Sequence, residues 1–262
     1  MGVRIVQRKA DELAGAPKGW RRFEFFCTVV FPPLFVTLVY RMRHDAWEWP
    51  HLLPLAFLIG LLGADFISGF VHWMADTWGT PDTPLVGKTL IRTFREHHVD
   101  QKAITRHDFI ETNGSNMWGG SSMLIFALII GGGDRLHALV QGSLLFFAIF
   151  VALTSQIHRW AHGDTPPLLV RWLQWSRLLL TAQHHERHHI APFDRSYCIT
   201  CGWLNQPLHS IRFFRTLEDL ITALTGALPR HDDIGEEAAI AVTQQVEEED
   251  ARMPDAGAHS DQ

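Results

Sequence analysis

The sequence predicts an all-α integral membrane protein, a helical bundle of about four transmembrane helices under a cytoplasmic, histidine-rich helical cap. Three observations point there. Apolar residues gather in blocks, Phe23 to Tyr40, Leu52 to Val71, Met117 to Gly131 and Leu139 to Leu153, while the last thirty residues are mostly polar and form no such block. A mean hydropathy of +0.00 is then the average of a membrane body and a soluble tail. Sixteen histidines stand against two tyrosines, and ten of the sixteen fall in tight clusters between His72 and His189. Such an excess has a chemical reason, because neutral imidazole is a good metal donor near pH 7 and survives oxidising chemistry better than a thiol.

Residues 1–22 carry Arg4, Arg8, Lys9, Lys18, Arg21 and Arg22 and no long apolar core, so they read as a basic cytoplasmic lead-in and not as a cleaved signal peptide. The membrane domain is expected over residues 23–230. Its first span, Phe23 to Tyr40, has about the length needed to cross ~30 Å of hydrocarbon at 1.5 Å per residue, with a kink expected at Pro32 and Pro33. The second runs from about His51 to Ala75 and carries Asp65, which is costly in lipid unless it faces the protein interior. After a polar stretch, Met117 to Gly133 reads as a short or re-entrant span because three glycines end it. Leu136 to Trp160 forms the fourth, and Leu168 to Leu180 has the amphipathic pattern of a segment lying in the interface.

Lys and Arg number six in the lead-in, two between the first spans, five between the second and third and one before the fourth. That bias puts both termini and every histidine cluster in the cytoplasm. From His231 onward ten acids face one base, a net of −9, which leaves +4 for the remainder of a chain at −5. Residues 231–262 therefore read as a disordered acidic tail without a chemical role, and the basic body suits an anionic inner leaflet. Cys27, Cys198 and Cys201 are too few for a disulfide framework, and Cys198-x-x-Cys201 reads as two packed thiols.

The histidines are organised. His72 and Asp76 are spaced i and i+4 at the end of a span and share a helix face; alone, such a pair is as readily a helix-end cap. Glu96-His97-His98 brings two adjacent imidazoles that diverge by about 100° on a helix, so that a shared site has to lie between helices. His158 and His162 close the fourth span as H-x-x-x-H, a spacing able to chelate one ion. His185, His188 and His189 form H-x-x-H-H within a run that also holds His184, and this is the densest signal in the chain.

Two metal ions in oxygen chemistry need roughly eight imidazole or carboxylate ligands, whereas a zinc hydrolase needs three and an open position. The expected metal set is His72, Asp76, His97, His98, His158, His162, His185, His188 and His189, all on one side of the membrane. A membrane haem or metal-transfer protein remains the non-enzymatic alternative, though haem uses two axial ligands and a transporter sets its ligands near the midplane.

The stretches His72-Trp73 with Asp76-Thr77-Trp78-Gly79, Phe94 to His98, Ala103 to Gly114, Gln156-Ile157-His158 with His162, His184 to His189 with Ala191-Pro192, and Tyr197 to Thr200 with Gly202 to Asn205 and Pro207-Leu208 closely resemble the plasmanylethanolamine desaturase family, the Kua type of lipid desaturase domain, from whose pattern Phe193 and Cys201 depart. The resemblance covers about Asp65 to Pro229. It implies a di-iron, dioxygen-dependent desaturation of the alkyl ether chain of a phosphoethanolamine lipid, giving the vinyl ether of a plasmalogen, with the nine residues above holding two Fe ions and His107 and His184 as second-tier candidates. It also implies a phospholipid substrate and an external electron donor, an electron-transfer protein of the cytochrome b5 or ferredoxin type; no nucleic acid partner is expected. A plant branch of the family resembles acyl-lipid desaturases of phosphatidylglycerol, so an acyl-lipid fatty acid desaturase or hydroxylase is the alternative activity. Arg95, Arg106 and Arg187 are expected to be available to a lipid phosphate.

Overall fold

The computed structural model describes residues 19–190 and 193–229, and every regular element among them is helical. The expectations for most of the basic lead-in, for the acidic tail and for Ala191-Pro192 lie outside the described residues.

Helix α1 (Trp20–Glu48) runs as one helix through Pro32 and Pro33 and extends beyond the expected span. A short turn at Pro50–Leu52 leads into α2 (Leu53–Thr77). A connecting segment holds a π turn at Gly87–Ile91 followed by α3 (Arg92–Val99) and α4 (Ala103–Arg106). Then come α5 (Phe109–Ile130) and α6 (Arg135–His162). The C-terminal part is built from the short α7 (Leu168–Trp175), α8 (Ala182–His185) and α9 (Asn205–Ser210) and from α10 (Phe213–Thr225).

The third expected element is corrected. It is longer than its apolar run, one continuous helix of 22 residues: α5 begins at Phe109, where Asp108 caps it by accepting from the backbone N–H groups of Ile110 at 2.9 Å and Glu111 at 3.0 Å. Its polar first half escapes a reading by apolar runs because those residues face protein. Asn113 Nδ2 donates to Gln156 Oε1 at 3.2 Å and Asn116 Nδ2 to Ser155 Oγ at 2.7 Å, both across to α6. The three glycines that seemed to end the span form the turn into α6, which Asp134 caps.

α6 is the spine of the bundle, packed on α2 along one side and α5 along the other, with α1 outside α5. Gly60 lets α2 approach α6 closely, since a Cβ there would lie 2.6 Å from the backbone nitrogen of Phe147; Gly114 does the same for α5, where a Cβ would meet Cβ of Glu24 at 2.5 Å. The pairings Glu24 with Gly114 and Phe31 with Gly120 show α1 and α5 running the same way, and Ala56 with Gly142 shows α2 and α6 sharing a direction. Asn113 with Gln156 shows α5 opposed to α6. The N-terminal ends of α1 and α5 and the C-terminal ends of α2 and α6 therefore meet at one end of the bundle.

Three helical stretches are long and apolar enough to cross a membrane, Trp20–Glu48, Pro50–Thr77 and Arg135–His162. At 28 residues the latter two reach about 42 Å, more than the ~30 Å of hydrocarbon, so a terminal turn can stand clear of it. Large apolar side chains such as Phe25, Val36, Ile59 and Ile129 point outward, as a lipid-facing surface requires. Asp65 faces inward, wholly buried. Its Oδ1 accepts from the backbone N–H groups of Thr200, Cys201 and Gly202 at 3.2, 2.8 and 2.8 Å, and its Oδ2 from Leu204 at 3.1 Å. These four bonds offset the cost of a carboxylate in the bundle and pin the 198–204 loop to α2.

Candidate metal centre

At the shared end of the bundle the nine residues expected as ligands converge into two adjoining donor groups, one of His97, His158, His162, His185 and His189, the other of His72, Asp76, His98 and His188, with donor atoms in each within 4.8 Å of one another. The last turns of α2 and α6 supply His72, Asp76, His158 and His162; α3 supplies His97 and His98; α8 and the turn after it supply the rest. Adjacent histidines diverge as helical geometry demands. His97 joins the five-imidazole group while His98 joins the carboxylate group, and His189 and His188 divide in the same way.

In the five-imidazole group the Nε2 atoms face one another: His158 to His185 at 2.7 Å, His185 to His189 at 2.9 Å, His97 to His189 at 3.1 Å and His158 to His162 at 3.2 Å. In the second group His98 and His188 hold their Nε2 atoms 3.0 Å apart, and Asp76 Oδ2 lies 3.3, 3.5 and 3.7 Å from Nε2 of His72, His188 and His98. Two nitrogens bound to one ion at about 2.1 Å and at right angles are separated by about 3.0 Å, so these spacings fit donors around a cation.

The hydrogen bonds behind the rings support the same reading. His72 Nδ1 donates to the Tyr197 carbonyl at 3.0 Å and His188 Nδ1 to the Arg195 carbonyl at 2.8 Å. A carbonyl can only accept, so the proton sits on Nδ1 and Nε2 presents a bare lone pair to the centre. Both oxygens of Asp76 and Nε2 of His72 are buried without a hydrogen-bond partner, a cost that a bound cation removes. Burial holds His97, His98, His185 and His189 far below the ordinary imidazole pKa, and neighbouring imidazoles add to the effect. His188 is lowered by burial to about 4. All five are thus neutral near pH 7, the form that binds metal.

His107 and His184 stand outside both groups. His107 pairs with Glu111 at 3.7 Å, and His184 lies 3.3 Å from Asn205 Nδ2. Cys198 and Cys201 are buried free thiols, as expected, and burial raises both thiol pKa values far above their ordinary range.

A cavity of about 480 Å³ opens against His97 and His158. Ile67, Val71, Val151 and Ile199 give it apolar wall, and Arg21, Glu24, Arg92, Asp108 and Glu111 bring charge to it. The arginines expected to meet a phosphate do not border it: Arg106 is paired with Asp100, Arg95 is buried and donates to the Gly79 carbonyl, and Arg187 is exposed elsewhere. Glu24 went unnoticed in the sequence because it interrupts an otherwise apolar run, where its charge was passed over.

The model of the lipid desaturase domain matches residues 61–232. A plasmanylethanolamine desaturase of Myxococcus xanthus is 49% identical over 243 residues, 91% of this chain and 85% of that protein. Plasmanylethanolamine desaturase 1 of Mus musculus is 44% identical over 233 residues, 86% of each chain. The chloroplastic fatty acid desaturase 4-like 2 of Arabidopsis thaliana is 32% identical over 207 residues, 78% of this chain and 71% of that one. No solved structure gives a significant match. With a domain match across most of its length and relatives that are desaturases, the chain belongs to the lipid desaturase domain family of oxidoreductases.

Proposed function

We propose that this protein is a di-iron plasmanylethanolamine desaturase, converting the 1-O-alkyl chain of an ether phosphoethanolamine lipid to the vinyl ether. The observation that carries the proposal is the pairing of two buried donor groups, five imidazoles beside three imidazoles and a carboxylate, with a cavity that reaches His97 and His158. Relatives of 49% and 44% identity that carry this activity in their names agree with it. His97, His158, His162, His185 and His189 would hold one iron and His72, Asp76, His98 and His188 the other. When bound, the iron pair supplies the activation of dioxygen needed to remove hydrogen from an unactivated methylene, which no side chain accomplishes unaided.

The remaining work belongs to the chain. Overall, two hydrogens leave the carbons next to the ether oxygen, dioxygen goes to two waters, and two electrons come from an external carrier of the cytochrome b5 or ferredoxin type. Ile67, Val71 and Val151 hold the alkyl chain and keep water from the reacting carbons. The Tyr197 and Arg195 carbonyls fix the rings of His72 and His188 in one tautomer. Cys198 and Cys201 are buried free thiols in the loop that Asp65 holds.

α5 is proposed as the fourth span, with both termini and the metal centre in the cytoplasm. The test of function is expression in cells that make alkyl ether lipids but no plasmalogen, followed by mild acid. A vinyl ether releases an aldehyde and an alkyl ether does not. Desaturation of an ester-linked acyl chain without any acid-labile ether lipid would replace this assignment by the acyl-lipid one.

A further inference from the structure

We infer that the charged end of the cavity is an ammonium subsite, in which Glu24 and Glu111 receive the primary amine of the lipid headgroup and select phosphoethanolamine over an anionic headgroup. The inference rests on the alkyl ether reading above and specifies how the substrate is recognised.

The chemistry of the reaction constrains where the headgroup lies. The carbons to be oxidised adjoin the ether oxygen, and only the glycerol separates that oxygen from the phosphate. A cavity that delivers those carbons to His97 and His158 therefore has to receive the headgroup in its own volume. The structure shows four carboxylates bordering that volume, Glu24, Glu96, Asp108 and Glu111, against two guanidiniums, Arg21 and Arg92. Asp108 is taken by Arg21 through bonds of 2.9 and 2.5 Å, and Glu96 by Arg92 at 2.7 Å. Two carboxylates remain in excess. Glu111 pairs with His107 at 3.7 Å and lies within electrostatic reach of Arg21, which Asp108 already holds. Glu24 is the more telling of the two, because its side chain is 6% exposed while its nearest cation, Arg21, lies 4.0 Å away and is committed to Asp108.

A buried carboxylate at the end of a membrane helix is costly unless a cation meets it or a proton neutralises it, and an arriving ammonium removes that cost with the charge retained. An ammonium group carries one positive charge and three donors, so it can hydrogen-bond to Glu24 and Glu111 together while its charge offsets one of the two. A phosphoglycerol headgroup, whose only charge is negative, would meet this excess of carboxylates with repulsion. Gly114 lets α5 approach α1 closely at Glu24, and Glu24 lines the cavity together with Glu111 of α5.

The test presents membranes containing the full-length protein with an equal mixture of 1-O-alkyl phosphoethanolamine and 1-O-alkyl phosphoglycerol lipids of identical chains. The acid-labile product is resolved by headgroup. The intact protein should favour the ethanolamine lipid, and Glu24→Gln and Glu111→Gln should each reduce that preference by about tenfold or more, the size expected when a charged hydrogen-bond partner is lost. Glu111, with a side chain 48% exposed, is the variant whose folding is not in question. Iron content is measured alongside, so that loss of the centre is not read as loss of selectivity. An unchanged product ratio in both variants, at normal iron content, overturns the subsite. Failure of the intact protein to make any vinyl ether overturns the alkyl ether reading instead. The subsite is then decided by equilibrium binding of the two radiolabelled lipids to purified protein in neutral detergent, where equal affinity for both headgroups overturns it.

Discussion

His97 and His98 are neighbours in the chain, yet Nε2 of His97 lies 3.1 Å from that of His189 in one donor group and Nε2 of His98 lies 3.0 Å from that of His188 in the other. A single pair of adjacent residues on α3 thus contributes to both groups, matched by a single adjacent pair from the segment after α8. The consequence is measurable. The intact protein should hold about two irons per chain, since nine donors exceed what one ion accepts. His188→Ala and His189→Ala each weaken a different group, so either should lower bound iron to about one per chain and bring vinyl ether formation to background. Replacing His44, exposed near the far end of α1, should change neither quantity. One iron per intact chain, or stoichiometric zinc, would refute the two-group assignment.

Much of this was legible in the sequence, for identifiable reasons. Runs of apolar residues reported α1, α2 and α6, and the i, i+4 spacing of His72 with Asp76 and of His158 with His162 reported helix faces that do each serve one group. The division of His185 and His189 from His188 was not legible, because an H-x-x-H-H spacing taken as helix puts all three on one face, whereas the helix ends at His185 and the segment after it carries His188 and His189. The start of α5 was hidden by polar side chains whose partners lie on α6, and the cavity depends on α1, α3 and α5 meeting, a matter of tertiary structure that no local pattern contains.

Asp65 was read as needing an interior position, and the structure supplies its reason in four backbone donors from the 198–204 loop. Asp65→Ala leaves these N–H groups buried and unpaired, at about 1–3 kcal/mol each for those that find no water. Thermal melting in detergent should fall steeply, with poor accumulation in the membrane. Asp65→Asn, which keeps the shape and one acceptor, should melt between the two. A melting temperature unchanged in the Ala variant would show that the loop is held by other contacts.

The pH dependence of the metal-free protein follows from the lowered imidazoles. His188 is held at about 4 by burial, against an ordinary value near 6.5. The folded state then binds fewer protons than the unfolded one, so this stability is fully present above about 6.5 and is lost as pH falls through about 4. Protein stripped with a chelator should melt at lower temperature at pH 5 than at pH 7.5. Iron-loaded protein should lose metal over the same range, because protons compete for the same nitrogens. Identical melting of stripped protein at the two pH values would contradict the neutral assignment.

The alternation of α1, α2, α5 and α6 places the ends after Arg43 and before Arg135 together, away from Asp108. If all four cross the membrane, reporters fused after Arg43 and after Arg135 should appear outside and one fused after Asp108 inside. A reporter after Asp108 that appears outside would put the metal centre on the wrong side of the membrane for a cytoplasmic electron donor. Reporters after Arg43 and Arg135 on opposite sides would show that α5 and α6 do not form a spanning hairpin.

The last expectation concerns the apolar wall of the cavity. Ile67 lies on α2 one turn before Val71, borders the cavity and is 38% exposed, so a larger side chain there has room to turn without disturbing the helix. Neither Ile67 nor its immediate neighbours belong to the donor groups. Ile67→Trp should therefore leave two irons bound while narrowing the path of the alkyl chain. KM for the long-chain ether lipid should rise by about tenfold or more, the size that a misfit of about one methylene costs in an apolar pocket, and a shorter-chain lipid should be affected less. Because iron content reports the centre and the chain-length profile reports the cavity, the two outcomes separate. Loss of iron would mean that Ile67 supports the metal site, and an unchanged chain-length profile at full iron content would mean that the lipid reaches the centre by another route.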